Sequence, residues 1–252
     1  MKKFVVGNLK MNLVTRVQRD DYVKELANIF VRKKNPQADV IVCPPHVYLE
    51  YFCTHLPKKI HVGAQDIFWE TQGSYTSHVS PQSVSELGAI AVILGHSERR
   101  LIVGETYEVI GKKVVAALKQ NLCPIICFGR TEQEQAMDPQ MRILLQQVRE
   151  ALFGVKKEDL GKIMLVHEPL WAVGTDRTPT SNDIMEVRLF FRKILSEMYG
   201  TQHVESPPIL YGGSVHKDNL TKVCIEPGMD GVLLGRESLF PKEFYEIAMM
   251  FS

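Results

Sequence analysis

The sequence lacks three features that would each indicate a particular class of protein: a long apolar run, an excess of one charge, and a set of paired cysteines. Its longest uncharged apolar stretch, residues 88–95, is far shorter than the roughly 18 residues that a membrane-spanning helix needs. The 30 basic and 29 acidic residues leave a net charge of +1, which argues against non-specific binding to nucleic acid or to an anionic membrane. We expect neither nucleic acid nor a membrane as a partner.

Secretion and disulfide bonding are not expected either. The first apolar run covers three residues before Gly7, which is too short for the core of a signal peptide, so we expect a cytoplasmic protein. Five scattered cysteines do not suggest a disulfide framework. Cys123 and Cys127 could be taken for a metal site, but on a strand they would lie about 13 Å apart. We therefore interpret them as core residues and expect no metal.

Short apolar runs alternate with segments of helical periodicity. Each run has the near-continuous apolar character of a strand buried on both faces of a parallel sheet. The clearest helix follows Thr180, which forms a predicted capping box with Asp183, and Gly200 would end it. Thr131 and Glu134 repeat the capping pattern before another helix. The runs are 4–6, 40–43, 61–64, 90–94, 124–128, 163–166, 209–211 and 232–234.

This alternation predicts βαβ units and therefore a parallel sheet. Eight such units within 252 residues fit an α/β fold, the (β/α)8 TIM barrel, in which residues 1–252 would form a single domain with eight parallel strands. A doubly wound open sheet is the alternative. Polar or glycine-rich clusters follow predicted strands one, four, six, seven and eight, and the C-terminal strand ends are where a barrel carries its active site.

The segment 167–175 follows the sixth predicted strand and reads HEPLWAVGT. The carboxylate of Glu168 would project into a partly dry barrel mouth, where it could act as a general base. Pro169 would stiffen the strand exit, and the small residues near Gly174 could form a hinge. Trp171 offers apolar area for a lid that excludes water. The alternative is an ordinary strand-end glutamate followed by a packed loop tryptophan.

The segment 95–100 follows the fourth predicted strand and reads GHSERR. If a short helix starts here, its positive end would keep His96 neutral, and a neutral imidazole could donate a hydrogen bond to a substrate oxygen. A histidine beside a charge cluster can equally be a surface or capping residue.

Asn8 and Lys10 end the first predicted strand. Because residues two apart share one face of a strand, both side chains could point into the barrel mouth. The lysine would supply positive charge for a phosphate and for a developing oxyanion. A solvated strand-end lysine is the alternative.

Glycine-containing turns follow predicted strands seven and eight, at 211–214 (YGGS) and 234–238 (LGRES). Barrels often build a phosphate site from these two loops, because glycine lets backbone N–H groups approach an anion closely. One such turn alone would be ordinary, whereas two on adjacent strands favour a phosphate site.

Taken together and in this order, these motifs resemble those of triosephosphate isomerases. The segments GHSERR, VGET, EPLWAVGT and YGGSV are similar to that family's signatures, and the resemblance extends from GNLKMN near the start to LGRESL near the end. It implies an isomerase of glycolysis and gluconeogenesis that interconverts dihydroxyacetone phosphate and D-glyceraldehyde 3-phosphate through an enediolate. It also implies that no metal or organic cofactor takes part.

The resemblance further implies a role for each site residue. Glu168 would transfer the proton between two substrate carbons, and neutral His96 would polarise the carbonyl. Lys10 and Asn8 would stabilise negative charge, with Glu98 supporting that group from behind. Backbone N–H groups would bind the phosphate at Gly174, Ser214, Gly235 and Arg236, and the lid would comprise Pro169, Leu170, Trp171, Ala172, Val173 and Thr175.

Several positions depart from the family pattern. The family generally has tyrosine where this chain has His167, and glutamate where it has Arg130. It has glycine at the positions of Asp176 and Arg236. In the family, that glutamate helps to hold the closed lid through the tryptophan. We therefore expect Trp171 to have different contacts in this chain. These changes concern lid closure and affinity more than the reaction.

The third loop of the family carries Thr-Gly-Glu, and this chain has Thr76-Ser77-His78. In the family this loop inserts into a second subunit, where its glutamate meets an arginine that corresponds to Arg99. Thr76 is retained, so we expect a homodimer with this loop at the interface. His78 would remove the ion pair or make it pH-dependent. A tetramer or a weaker assembly is the alternative.

Two other functions remain open from the sequence. One is a barrel that holds phosphate without turnover because the altered lid does not close, for which Arg130 and Asp176 are the only support. The other is an isomerase of a larger sugar phosphate, which would need a longer or more open lid. The complete polar set at the strand ends favours catalysis on a triose phosphate.

Overall fold

A computed structural model describes residues 2–173, 175, 177–201 and 206–251. Within this part of the chain, eight strands form a closed barrel in which every strand is parallel to its neighbours and pairs with them in chain order. The strands are β1 (Phe4–Asn8), β2 (Asp39–Cys43), β3 (Ile60–Ala64), β4 (Ala91–Leu94), β5 (Cys123–Phe128), β6 (Met164–His167), β7 (Ile209–Tyr211) and β8 (Gly231–Leu234). The predicted (β/α)8 barrel is confirmed, and the open sheet is excluded because β8 pairs with β1.

Helices connect the strands, as the alternating pattern predicts. They are α1 (Arg16–Arg32), α2 (Leu49–His55), α3 (Pro81–Glu86), α4 (Ser97–Val103), α5 (Tyr107–Lys119), α6 (Glu132–Met137), α7 (Arg142–Ala151), α8 (Ser181–Tyr199) and α9 (Pro241–Met249). The connection from β7 to β8 differs: within residues 212–230 the helical pieces are a short 3₁₀ turn, Lys217–Asn219, and a π turn, Thr221–Ile225. None of the described helices combines the length and the apolar character that crossing a membrane requires.

The predicted helix starts are confirmed. In α8 the Thr180 side chain accepts from the Asp183 N–H and the Asp183 side chain accepts from the Thr180 N–H, and the helix ends at Gly200. The same reciprocal pair forms between Thr131 and Glu134 at the start of α6. Each cap satisfies helix N–H groups that have no partner within the helix. Helix α6 also contacts the segment after β6, through the hydrogen bond from Trp171 to Gln135.

The core has two layers, as a closed barrel requires. Alternate strand residues fill the barrel interior, and the cluster includes Val6, Ile93, Cys127 and Leu210. Cys123 packs against the same cluster, which agrees with its interpretation as a core residue. A second, larger cluster lies between the strands and the surrounding helices. Burial of each large aliphatic side chain contributes about 1.5–3 kcal/mol, so the barrel provides a rigid base for the strand ends.

Candidate active site

The C-terminal strand ends surround a cavity of about 370 Å³. It lies where the sequence predicts the active site, at the carboxyl ends of the parallel strands. Among the residues predicted for the site, those that line it are Lys10, His96, Val173, Thr175, Ser214, Gly235 and Arg236. Two further predicted residues, Gly174 and Asp176, lie outside the described part of the chain.

Glu168 directly follows β6 and is fully buried. Its N–H donates to the carbonyl of Phe128 at the end of β5, over 2.7 Å. The next residue of that neighbouring strand is Gly129, where an added Cβ would lie 1.7 Å from the Glu168 carbonyl oxygen. Only glycine leaves room for this approach, so the backbone position of Glu168 depends on Gly129.

The Glu168 carboxylate is held by the start of α4. The Ser97 N–H donates to Oε2 and the Ser97 hydroxyl donates to Oε1, both over 2.9 Å. His96 Nε2 lies 3.1 Å from Oε1, and Arg100 Nη2 lies 3.8 Å from Oε2. A buried carboxylate needs such donors, because an unpaired buried charge is strongly unfavourable.

His96 caps α4, and this contact determines its tautomer. Its Nδ1 accepts a hydrogen bond from the Glu98 N–H over 3.3 Å. An Nδ1 that accepts carries no proton, so the proton of the neutral ring resides on Nε2, the atom that faces Glu168. The predicted helix start at His96 is confirmed.

The conformation of Lys10 differs from the sequence prediction. Strand β1 ends at Asn8, and Lys10 lies beyond it with φ of 51°, a left-handed conformation that is uncommon for residues other than glycine. The Lys10 N–H donates to Asn8 Oδ1 over 3.0 Å, and the Lys10 carbonyl accepts from Gln65 Nε2 over 2.9 Å. These contacts hold the unusual backbone, and the Lys10 Nζ donates to Glu98 Oε1 over 2.7 Å.

The loops after β7 and β8 form another part of the cavity wall. Ser214 follows β7, and Gly235 and Arg236 follow β8. A Cβ added at Gly235 would lie 3.5 Å from Lys10 Cε, so the Lys10 side chain runs directly beside this loop. The predicted lysine and the predicted phosphate-binding position Gly235 are therefore neighbours.

The segment after Glu168 forms a turn that is closed by its own hydrogen bonds. The Ala172 N–H donates to the Pro169 carbonyl over 2.9 Å, and the Val173 N–H donates to the Leu170 carbonyl over 3.3 Å. Thr175 continues the pattern with a bond to the Ala172 carbonyl over 3.4 Å. These bonds are local, which suits a segment that moves as one unit.

Behind this segment, Trp171 and Arg130 do not contact each other by a hydrogen bond. Trp171 Nε1 donates to Gln135 Oε1 over 2.8 Å, whereas Arg130 Nη1 donates to the Asp138 carbonyl over 2.6 Å. His167 is buried beside them, and burial together with the positive charge of Arg130 lowers its pKa to about 3. The tryptophan thus has a glutamine partner on α6 in place of the glutamate of the family pattern.

Sequence reasoning missed three residues that the structure brings to this site. Ser97 and Arg100 lie in the GHSERR segment, and a helix start with free N–H groups beside a carboxylate could have indicated Ser97. Gln135 is 36 positions from Trp171, and no local pattern joins the two. Among the described residues, no group of three or more His, Cys, Asp or Glu side chains is arranged to hold a metal ion.

The fold and the site define a class: a parallel barrel enzyme with a buried carboxylate, an imidazole and a lysine near the glycine-containing loops after β7 and β8. The family model for triosephosphate isomerase matches residues 3–251. Relatives named triosephosphate isomerase include one from Dictyoglomus thermophilum, 38% identical over 98% of both chains. Another, from Thermoanaerobacter pseudethanolicus, is 36% identical over 98% of both chains, and one from Moorella thermoacetica is 38% identical over 98% of this chain and 97% of its own.

This chain therefore belongs to the triosephosphate isomerase family. It is an isomerase built on a TIM barrel.

Proposed function

We propose that this chain interconverts dihydroxyacetone phosphate and D-glyceraldehyde 3-phosphate, in glycolysis and gluconeogenesis, with Glu168 as the base. The observation that carries the proposal is the contact between the buried Glu168 carboxylate and His96 Nε2, 3.1 Å apart. A carboxylate and a neutral N–H donor side by side next to a cavity are the two groups that proton transfer beside a carbonyl requires. The general pairing of a glutamate base with a neutral histidine is the established pattern for this family.

In the first step, Glu168 takes a proton from the carbon beside the substrate carbonyl. The electrons of the broken C–H bond form the carbon–carbon double bond of an enediolate, and the carbonyl oxygen gains the negative charge. His96 would then transfer the hydroxyl proton of the enediolate to the other oxygen, and return of the carried proton to the former carbonyl carbon gives the isomer. Because the carboxylate now rests against Ser97, it must leave these donors and turn towards the cavity to reach the substrate.

Two donors stabilise the negative charge of the enediolate. His96 Nε2–H would donate to the substrate oxygens, and Lys10 Nζ would supply a positive charge at the cavity wall. Fixed donors aimed at developing charge are among the largest contributors to catalysis. Asn8 maintains the Lys10 backbone through the bond to its N–H, and Glu98 orients the ammonium group from behind.

The phosphate would bind at the loops after β7 and β8. Backbone N–H groups of Ser214, Gly235 and Arg236, with Gly174 from the lid, would surround it, and Lys10 lies beside the same loops. Segment 169–175 would close over the substrate. Exclusion of water protects the enediolate, which would otherwise lose its phosphate.

We also propose that residues 1–252 form one domain and that the enzyme is a cytoplasmic homodimer. Support for the dimer comes from large apolar side chains exposed in the connections that follow β1, β2 and β4: Met11 is 88% exposed, Val47 82% and Ile102 80%. Exposed apolar groups of this kind mark interaction sites. Thr76 in the loop after β3 is also exposed and would lie at this interface.

The ion pair expected from the family pattern has a replacement within the chain. Arg99 Nε lies 3.1 Å from Asp66 Oδ2, so Arg99 has an ion-pair partner without a second subunit. His78 stacks on Phe68, with 4.0 Å between ring centroids. We therefore propose a dimer held mainly by apolar contacts. Sedimentation from pH 5 to 8 tests it: a monomer throughout would refute the dimer.

A coupled isomerase assay tests the proposed reaction. Wild type should turn over both triose phosphates, and Glu168→Gln, which keeps the size of the side chain, should lose activity. Glu158→Gln, at an exposed position at the opposite end of β6 from Glu168, serves as the matched control and should behave as wild type. Absence of turnover by wild type would refute the reaction, and an equally active Glu168→Gln would refute the assignment of the base.

A further inference from the structure

The proposed lid is attached on its outer side to helix α6. Trp171 Nε1 donates to Gln135 Oε1 over 2.8 Å. Arg177, just after the lid, makes a two-bond contact with Glu132, from Nη2 to Oε1 over 2.6 Å and from Nη1 to Oε2 over 3.1 Å. The Arg177 guanidinium also lies over the Trp171 ring, 5.0 Å from its centroid. Both the tryptophan and the chain after the lid are thus bound to one helix.

We propose that Gln135, Glu132 and Arg177 are positioning residues that form a latch and hold the lid open, and so set the affinity for the phosphate group. The inference rests on the proposed role of segment 169–175 as a lid. In the described position, Glu168 rests on Ser97 and does not line the cavity, and the lining residues Thr175 and Arg236 are both exposed. We assign this position to the open lid. The latch contacts therefore belong to the open position.

Helix α6 is only six residues long and none of its residues is buried, but contacts fix both of its ends. At its start, the Thr131 N–H donates to Glu134 Oε2 over 2.7 Å and the Glu134 N–H donates to Thr131 Oγ1 over 3.1 Å. At its end, Arg130 Nη1 donates to the Asp138 carbonyl over 2.6 Å. Arg130, the departure from the family pattern, thus contacts both this helix and the lid, because its carbonyl also accepts from the Leu170 N–H over 3.1 Å.

A small void lies behind the lid. Its volume is about 20 Å³, and Trp171, Gln135 and His167 are among its lining residues. Nδ1 of the buried His167 has no hydrogen-bond partner in the structure. The hydrogen bond from Trp171 to Gln135 lies beside this void.

Closure of the lid breaks the latch if Trp171 moves away from α6. Contacts present only in the open state reduce the fraction of molecules with a closed lid. The apparent dissociation constant for phosphate equals the intrinsic constant divided by that closed fraction, so it rises. An exposed ion pair and one hydrogen bond contribute modestly, so we expect an effect of about two- to fivefold on affinity. The ion-pair part should weaken with salt.

The experiment uses a Trp69→Phe parent, in which Trp171 is the only tryptophan, since the chain contains two. Inorganic phosphate is titrated into the parent, Gln135→Leu and Glu132→Gln, with Trp171 fluorescence as the readout. Gln146→Leu and Glu108→Gln are the matched controls, because Gln146 bonds to Glu150 over 2.7 Å and Glu108 to Lys112 over 2.8 Å on other helices. KM and kcat are measured for each variant.

The latch predicts that both latch variants bind phosphate about two- to fivefold more tightly, with KM lowered to match, and that the controls equal the parent. The difference between Glu132→Gln and the parent should shrink as salt increases. Unchanged or weaker binding by both latch variants, with a normal response of the parent, would overturn the latch alone. If saturating phosphate leaves the Trp171 emission of the parent unchanged, segment 169–175 is not a lid. The proposed lid and the proposed latch then both fail, whereas the coupled isomerase assay tests the reaction separately.

Discussion

Ser97 donates two hydrogen bonds to Glu168, one from its backbone N–H and one from its hydroxyl, each 2.9 Å long. Because α4 begins at Ser97, the carboxylate also faces the positive end of that helix. The proposed base therefore has a defined resting place outside the cavity. In that place its negative charge is compensated although the side chain is fully buried.

Loss of the Ser97 hydroxyl should destabilise the protein. Ser97→Ala removes one donor from a buried carboxylate, and a hydrogen bond to a charged group contributes about 1.5–3 kcal/mol. Urea unfolding at pH 7 measures the change in free energy. Ser85→Ala is the control, because the Ser85 hydroxyl donates only to a neutral carbonyl, that of Gln120, over 3.0 Å. Equal losses in both variants would contradict the special role of Ser97.

Substitution of Gly129 should disturb the base without touching its side chain. In Gly129→Ala the new Cβ would start 1.7 Å from the Glu168 carbonyl oxygen, so the backbone must shift, at a cost of about 1–3 kcal/mol or more. We expect lower stability and a large fall in kcat. At Gly161, the nearest atom to an added Cβ is 3.7 Å away, so Gly161→Ala should be tolerated. A fully active Gly129→Ala would show that the close approach is not required.

His167 should make the fold sensitive to acid. Its pKa is lowered to about 3 in the folded protein, against about 6.5 in an unfolded chain. Between these values the unfolded state binds the extra proton, so stability falls as the pH decreases, by up to about 1.4 kcal/mol per pH unit from this group. Above pH 6.5 the effect is absent.

The variant His167→Phe removes this contribution and keeps an aromatic ring between Phe191 and Tyr211, whose centroids lie 6.4 and 6.2 Å from that of His167. Chemical unfolding at pH 4, 5, 6 and 7 should show a shallower decline for the variant than for wild type. Parallel curves would mean that His167 gains a proton in the folded state as readily as in the unfolded state.

Removal of the Lys10 charge should affect catalysis more than stability. Lys10→Met loses the positive charge at the cavity wall, and the loss of one preorganised electrostatic group typically costs about 10²–10³ in kcat. The fall in kcat/KM is measured by the coupled assay. Lys112→Met is the control, since Lys112 pairs with Glu108 on the outer surface. A fall of less than tenfold would assign Lys10 a minor role.

Local sequence patterns account for much of the fold. Capping residues such as Thr180 act within one turn of helix, so helix starts can be predicted locally. Apolar runs such as 124–128 indicate buried strands, and the predicted strand limits lie within two residues of the observed ones. Eight such units favour the closed barrel over the open sheet, and the pairing of β8 with β1 decides between them. The turn-only connection between β7 and β8 was not predicted, because its short 3₁₀ and π turns carry no long periodicity.

The site was predictable where a residue sits at a strand end or a helix start, as for Glu168 and His96. It was not predictable where a contact depends on distant segments. The left-handed backbone of Lys10 is supported by Gln65, 55 positions away, and Trp171 meets Gln135 only because α6 and the segment after β6 lie side by side. Both contacts arise from the closed barrel, and neither leaves a local pattern.

The most direct test of Glu168 as the base is isomerisation in D2O, followed by mass analysis of the product. Proton transfer through a carboxylate predicts that wild type places deuterium on the carbon that receives the proton, because the carried proton can exchange with solvent. Glu168→Gln should neither isomerise nor exchange hydrogen at that carbon. Product free of deuterium from wild type, or deuterium incorporation at an unchanged rate by Glu168→Gln, would contradict the proposed base.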